Sequence, residues 1–254
     1  MEQADEATIT VLVDNFSLVD DAHTEYGLSI HIEVEGRGRR HSILFDTSGS
    51  PWALLHNAKL LGIDLTSVEY VIISHMHRDH YYALRSLWGL LHPKLVYLPE
   101  PIGVSNRVYE VLEKGRVEET SVVRGRVVVA PGVEVFGPVA SSGEVSVLVE
   151  AGGRRALLVA CGHAPLRHII YWSRRNAFDV VMGGFHLKNG GRRRIEEVYE
   201  ALWDRASLVV GLHCSHWGSW LLKPLLGSRY VEGGVGLRIV LSRSSLHLHP
   251  QPSL

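Results

Sequence analysis

The sequence predicts a four-layer α+β fold: two β-rich halves, each covered by outer helices. Three observations carry that expectation. Short β-rich runs alternate with amphipathic helical runs. Long β stretches occur in both halves of the chain. No repeat, linker or low-complexity tract divides it, so residues 1–254 are read as one domain. With 46% hydrophobic and 21% charged residues, the chain has enough apolar material for a full core, which excludes wholesale disorder.

From the N-terminus, Thr8–Val13 reads as a strand, and Leu28–Val34 and His41–Phe45 as two more around the turn-like EGRGRR. Trp52–Leu61 reads as a helix with Leu54, Leu55, Ala58 and Leu61 on one stripe and Gly62 just past its end. Tyr70–Ile73 is a short apolar strand, Ala83–Leu91 a helix and Lys94–Leu98 a strand. Residues 100–125 combine helical periodicity near Arg107–Leu112 with charge around Glu113–Glu119, and a lid or insertion is expected there. Val127–Val129, Val133–Phe136, Val145–Val149 and Ala156–Val159 read as successive antiparallel strands. Helices at Pro165–Ser173, Arg192–Leu202 and Trp217–Leu226 then alternate with strands at Asp179–Met182, Leu208–Val210 and Val235–Leu241.

Charge and composition exclude several functions. Lys+Arg is 26 and Asp+Glu is 27, so no net field draws the molecule to nucleic acid or to an anionic membrane. The acidic, polar start MEQADEATIT is no secretory signal, and no apolar run approaches the roughly 18 residues of a membrane helix. Two cysteines, Cys161 and Cys214, make no disulfide framework, so a cytoplasmic location is expected. Arginine outweighs lysine and Asn and Gln are scarce, a weak thermophilic signature. Nothing in the sequence indicates the oligomeric state.

The strongest chemical signal is His75-Met76-His77-Arg78-Asp79-His80, directly after an apolar strand. Imidazole and carboxylate suit zinc, iron or manganese. A loop leaving a strand can turn all four side chains inward, with His75 and His77 on one ion and Asp79 and His80 on a second. Two ions need further ligands. His163 follows ALLVACG, His186 follows VVMGGF and His213 follows LVVGL, each just past an apolar run where strand ends gather ligands. His163 and His213 are read as ligands; His186 is a ligand, a supporting group or a substrate donor. Cys161 and Cys214 read better as small buried filler than as ligands. Tyr81 and Tyr82 either line the site or pack against the following helix. Lys188 and Arg192 could bind a phosphate near a helix start, although a solvated charge run is the blander reading.

The HxHxDH run resembles the signature of the metallo-β-lactamase superfamily. VLVDNFS, GLSIHIE, ILFDTSGS, LLHNAKLLGIDL, ACGHA, GGFHL and LHCS are similar to a branch of metal-dependent hydrolases resembling 7,8-dihydropterin-6-methyl-4-(β-D-ribofuranosyl)-aminobenzene-5′-phosphate synthase. The resemblance implies an αβ/βα sandwich with two divalent ions, zinc before manganese or iron. It implies His75 and His77 at the first ion, Asp79 and His80 at the second, and His163 and His213 completing the sites. It also implies that Asp46 supports the metal loop, which agrees with the need of a bound imidazole for an acceptor at its other nitrogen. The chain departs from the pattern twice. It offers no aspartate after a late strand to bridge the ions, and it has Tyr81-Tyr82-Ala83 where small residues are usual.

The expected activity is hydrolysis of a small-molecule ester by a metal-bound hydroxide, with a phosphodiester or phosphotriester favoured. Asp79 would ligate and orient, and His186, Tyr81 or Tyr82 would stabilise the oxyanion. The alternatives are the synthase-type transfer of the branch and lactone hydrolysis.

Overall fold

In a computed structural model, which describes residues 3–100, 120–139 and 142–250, the chain forms two sheets packed face to face between layers of helices. The first sheet contains β1 (Glu6–Val13), β2 (Ser29–Gly36), β3 (Arg39–Phe45), β4 (Tyr70–Ile72), β5 (Leu95–Leu98), β6 (Thr120–Val122), β14 (Arg238–Ser242) and β15 (Leu246–His249). Its order is β15-β14-β1-β2-β3-β4-β5-β6, antiparallel as far as β3 and parallel from β3 to β6. The second contains β7 (Gly125–Ala130), β8 (Val133–Gly137), β9 (Ser146–Ala151), β10 (Arg154–Val159), β11 (Phe178–Gly183), β12 (Ala206–Gly211) and β13 (Tyr230–Glu232). Its order is β13-β12-β11-β10-β9-β8-β7, with a parallel half from β10 to β13 and an antiparallel half from β7 to β10.

Alternation along the strands builds three apolar layers. Ile43 and Phe45 face the second sheet, while Leu44 between them faces helix α1 (Pro51–Leu60). Leu158 faces the first sheet, while Leu157 and Val159 face α4 (Leu166–Ser173), α5 (Leu187–Leu202) and α6 (Ser219–Leu226). Helix, sheet, sheet, helix is the expected four-layer order.

Several local expectations are corrected. The buried face of α1 is Ala53, Leu54, Asn57 and Ala58, while Leu55 is 40% exposed. Asn57 displaces the apolar stripe because its amide donates to Leu12 O and His23 O and accepts from His23 N. Gly62, at φ +70°, does close this helix. The Ala83–Leu91 helix shrinks to α3 (Leu84–Leu87), preceded by the single turn α2 (Arg78–Tyr81). Helix α6 starts at Ser219, after a 3-10 run His213–Gly218. Short strands β6, β13 and β15 carry too few residues for a periodic signal. Residues 101–119 of the expected lid lie outside the described residues; Thr120–Val122 pair with β5. Among the described residues, no helix is long and apolar enough to cross a membrane.

Register positions the segments that leave the strands. Val159, Gly183 and Gly211 are neighbours across β10, β11 and β12. Residues just beyond these three therefore emerge at one level of the sheet edge. On the first sheet, Phe45 and Ile72 are partners in the same way. Gly183 is what lets β11 reach this register. It sits at φ +136°, and a Cβ there would lie 1.7 Å from Val159 O. Gly183→Ala is expected to destabilise the protein by about 3 kcal/mol through clash and backbone strain, lowering the thermal midpoint by roughly 6–12 °C in scanning calorimetry. An unchanged midpoint would contradict this packing.

Candidate metal centre

Chain segments that leave C-terminal strand ends carry the donors. From the first sheet, Asp14 follows β1, Asp46 follows β3 and His75–His80 follow β4. From the second, Cys161 and His163 follow β10, His186 follows β11 and His213 follows β12. Open sheets with parallel strands gather ligands at this edge.

Asp46 is fully buried and organises the first group. Its Oδ1 accepts from Ser74 N (2.7 Å), and its Oδ2 accepts from Ser74 Oγ (2.7 Å) and from His80 Nδ1 (2.6 Å). Because the Ser74 hydroxyl proton goes to Asp46, its oxygen accepts from His75 Nδ1 at 2.9 Å. One carboxylate thus sets the tautomer of two imidazoles, and both present Nε2 as a lone pair. His75 Nε2 then faces His77 Nδ1 at 3.1 Å and His163 Nε2 at 3.2 Å. His80 Nε2 faces Asp79 Oδ2 at 3.7 Å and Cys161 Sγ at 3.5 Å. His213 Nε2 lies 3.4 Å from the same Asp79 oxygen and is buried, yet it makes no hydrogen bond with any described residue.

Electrostatics follow from this crowding. Burial, followed by the neighbouring imidazoles, holds His75 well below the usual histidine range, and burial lowers His163 as well. Burial alone would raise Asp79; the His213 and His80 contacts outweigh it and pull its carboxyl down to about 2. Facing nitrogens, an ionised carboxylate and an orphaned buried Nε2 form a donor set that lacks protons to satisfy it. That chemistry fits divalent ions.

Among the described residues, three groups of candidate donors lie with their atoms within 4.8 Å of one another: His75, Cys161 and His163; His80, Cys161 and His213; and Cys161, His186 and Cys214. The structure thus brings His75, His77, Asp79, His80, His163 and His213 together. His186 joins them through its ring, 4.6 Å from that of His163. A cavity of about 190 Å³ opens beside His75, His77 and His163. A larger groove of about 770 Å³ at Arg126, Tyr171, Trp172 and Arg175 contains none of these donors.

The tyrosines are placed differently from the site expectation. Tyr81 packs into the apolar cluster under α1, and Tyr82 lies beneath the Arg78 guanidinium at 4.3 Å. In the turn α2, successive side chains point about 100° apart, so adjacency to His80 in sequence does not aim Tyr81 at the donors. Tyr26 takes that place instead: its ring is 4.9 Å from His213, and burial pushes its hydroxyl up to about 12. The basic pair also separates. Lys188 Nζ lies over Tyr26 (4.8 Å) and Trp217 (4.6 Å), whereas Arg192, beyond a kink at Gly191, pairs with Glu196 on an exposed face.

Sequence reasoning missed the supports that come from far along the chain. Glu144 is buried and accepts from the backbone N–H groups of Cys161 (2.8 Å), Gly162 (2.9 Å) and His163 (2.8 Å). Asp14 accepts from His213 N at 2.8 Å, and Asn15 Oδ1 lies 3.3 Å from His213 Nδ1. His216 bridges Asp14 Oδ2 (2.9 Å) and Glu232 Oε2 (3.2 Å). Arg194 donates to Phe185 O and Gly162 O, tying the His186 and His163 loops together. His186 (φ +52°), His213 (φ +49°) and Asp46 (φ +59°) adopt left-handed backbone conformations that these bonds must hold.

The family model of the metallo-beta-lactamase superfamily matches residues 30–177. The chain is 25% identical over 232 residues to the 7,8-dihydropterin-6-methyl-4-(beta-D-ribofuranosyl)-aminobenzene-5′-phosphate synthase of Methanocaldococcus jannaschii, covering 70% of this chain and 76% of that one. Among solved structures it is similar to Tm1679, a metal-dependent hydrolase of the beta-lactamase superfamily (TM-score 0.74, 23% identity, 93% of this chain and 99% of that one). It is also similar to a diphosphatase of the PhnP family (TM-score 0.55, 16% identity, 96% and 100%).

Two outcomes test these supports. Asp46→Asn is expected to cost about 3–5 kcal/mol by breaking a buried network and to weaken metal binding ~10–100-fold, as measured by chelator competition. For His216, burial lowers the pKa, but the Asp14 and Glu232 bonds raise it to about 9. A raised pKa stabilises the fold fully below the unfolded value of about 6.5, and the effect is lost as pH rises through the folded value. Denaturant titrations should therefore show the wild-type advantage over His216→Gln shrinking between roughly pH 6.5 and 9; a constant gap would refute it.

Proposed function

Because the chain belongs to the metallo-beta-lactamase superfamily, a family of hydrolase fold, we propose that it is a dinuclear metal-dependent hydrolase of ester bonds, phosphoesters in particular. The observation that carries this reading is the convergence of ring nitrogens from both sheets, His75 facing His77 and His163 within 3.2 Å, beside the unpartnered His213 Nε2. His75, His77 and His163 would hold one ion, and Asp79, His80 and His213 the other. Divalent ions there, zinc first and manganese or iron as alternatives, supply Lewis acidity that activates water near neutral pH and polarises the substrate oxygen.

The chain's own residues supply the rest. Asp79, ionised throughout the physiological range, accepts a hydrogen bond from the attacking water and orients it. His186 lies at the edge of the donor cluster and offers an N–H to the oxygen that gains charge. No serine or cysteine nucleophile is required. Lys188, Tyr26 and Trp217 form a cationic and aromatic rim beside His213. Such a rim suits a substrate that carries a phosphate and a flat ring. The same rim, with the likeness to the Methanocaldococcus jannaschii synthase, supports a second reading, transfer onto an aromatic acceptor phosphate.

The deciding experiment measures metal content alongside turnover of p-nitrophenyl phosphodiester and phosphotriester, for wild type, His77→Ala and His163→Ala. About two ions per chain are expected in the wild type, with turnover falling at least ~100-fold in the variants, the scale on which even indirect partners of ligands act. Metal without hydrolysis of any ester would favour the transferase. A wild type that takes up no metal would overturn both readings.

A further inference from the structure

We propose that the Cys161 thiolate is a metal ligand shared between two donor sets, His75 with His163 and His80 with His213. The inference rests on the metal-dependent hydrolase reading and identifies the atom that joins its two halves. Cys161 Sγ belongs to both groups of converging donor atoms, and it lies 3.5 Å from His80 Nε2. The residue is 4% exposed, so its sulfur faces these donors and not solvent. The buried His213 Nε2 in one of those groups has no hydrogen-bond partner among the described residues and points into the same space.

The backbone explains the aim. Cys161 lies two residues past the end of β10, and Glu144 holds its N–H together with those of Gly162 and His163. Gly162 turns at φ +64°, which brings the side chains on either side of it to one place. A single sulfur can contact two ions, as a carboxylate does through its two oxygens, so Cys161 answers the lack of an aspartate after a late strand. A thiolate beside imidazoles favours zinc, ferrous iron or cobalt over magnesium or calcium. On loading, the S–H bond breaks, the proton passes to buffer, and sulfur–metal bonds form with no electron transfer.

Cys214 is the built-in contrast. Its Sγ lies 3.6 Å from Cys161 Sγ and accepts from His186 N at 3.3 Å, and it joins neither of the two histidine pairs. The two cysteines should therefore behave differently.

The test titrates reduced, metal-free protein with cobalt(II), recording the near-ultraviolet thiolate-to-cobalt charge-transfer band and the bound cobalt. Wild type and Cys214→Ser are expected to develop the band, growing through about two equivalents. Cys161→Ser should lose the band and bind cobalt at least ~10-fold more weakly. Cys161→Asp should bind about two ions without the band, which separates loss of sulfur from loss of fold. A band that survives in Cys161→Ser, or one that stops growing at the first equivalent, overturns the shared ligand. Cobalt bound by wild type with no band also overturns it, while leaving the hydrolase reading intact. A wild type that binds no cobalt overturns both.

Discussion

A carboxylate sealed from water must find donors inside the protein, and Asp46 finds its own in the segment that carries the first histidines. That requirement fixes more than a local turn. Through Ser74 it sets which nitrogen of His75 carries a proton, and directly it does the same for His80. The imidazoles facing the centre are therefore acceptors by construction. Glu144 and Asp14 repeat the device under the loops of His163 and His213, using backbone N–H groups. Each of these donor loops rests on a buried acid. Such acids are worth their desolvation only because every one is supplied with donors.

The sheets supply the second constraint. Three parallel strands of one sheet end in register at Val159, Gly183 and Gly211, so their following residues share one level. The first sheet ends β3 and β4 in register at Phe45 and Ile72. The centre forms where the two edges meet, with donors from each sheet. Arg194 then links two loops of the second sheet through their carbonyl oxygens.

What was legible in the sequence is what is local. Alternation and apolar runs located most long strands, and the HxHxDH run stood out because its donors lie within six residues. The strand-end histidines were readable because strands in such folds deliver their ligands at one edge. Glu144, Asp14 and Tyr26 left no mark, since the partners through which they act at the site lie 17 to 202 positions away. Small apolar neighbours around Cys161 look alike in sequence whether the buried thiol they flank fills a core or faces candidate donors, and only the fold shows its sulfur beside His75, His80 and His163. For Tyr81 the sequence leaves lining and packing open, and one helical turn carries its side chain into the apolar cluster.

The left-handed backbone at Asp46, His186 and His213 has a consequence for the history open to this chain. A donor loop held in a strained conformation by partners elsewhere cannot be refined one residue at a time. Changing the loop without its buried acid, or the acid without its loop, lowers stability before any new chemistry is gained. Variation is then channelled to positions outside these linked sets, such as the rim of Tyr26, Lys188 and Trp217. Substitutions at that rim leave the linked loops and buried acids untouched.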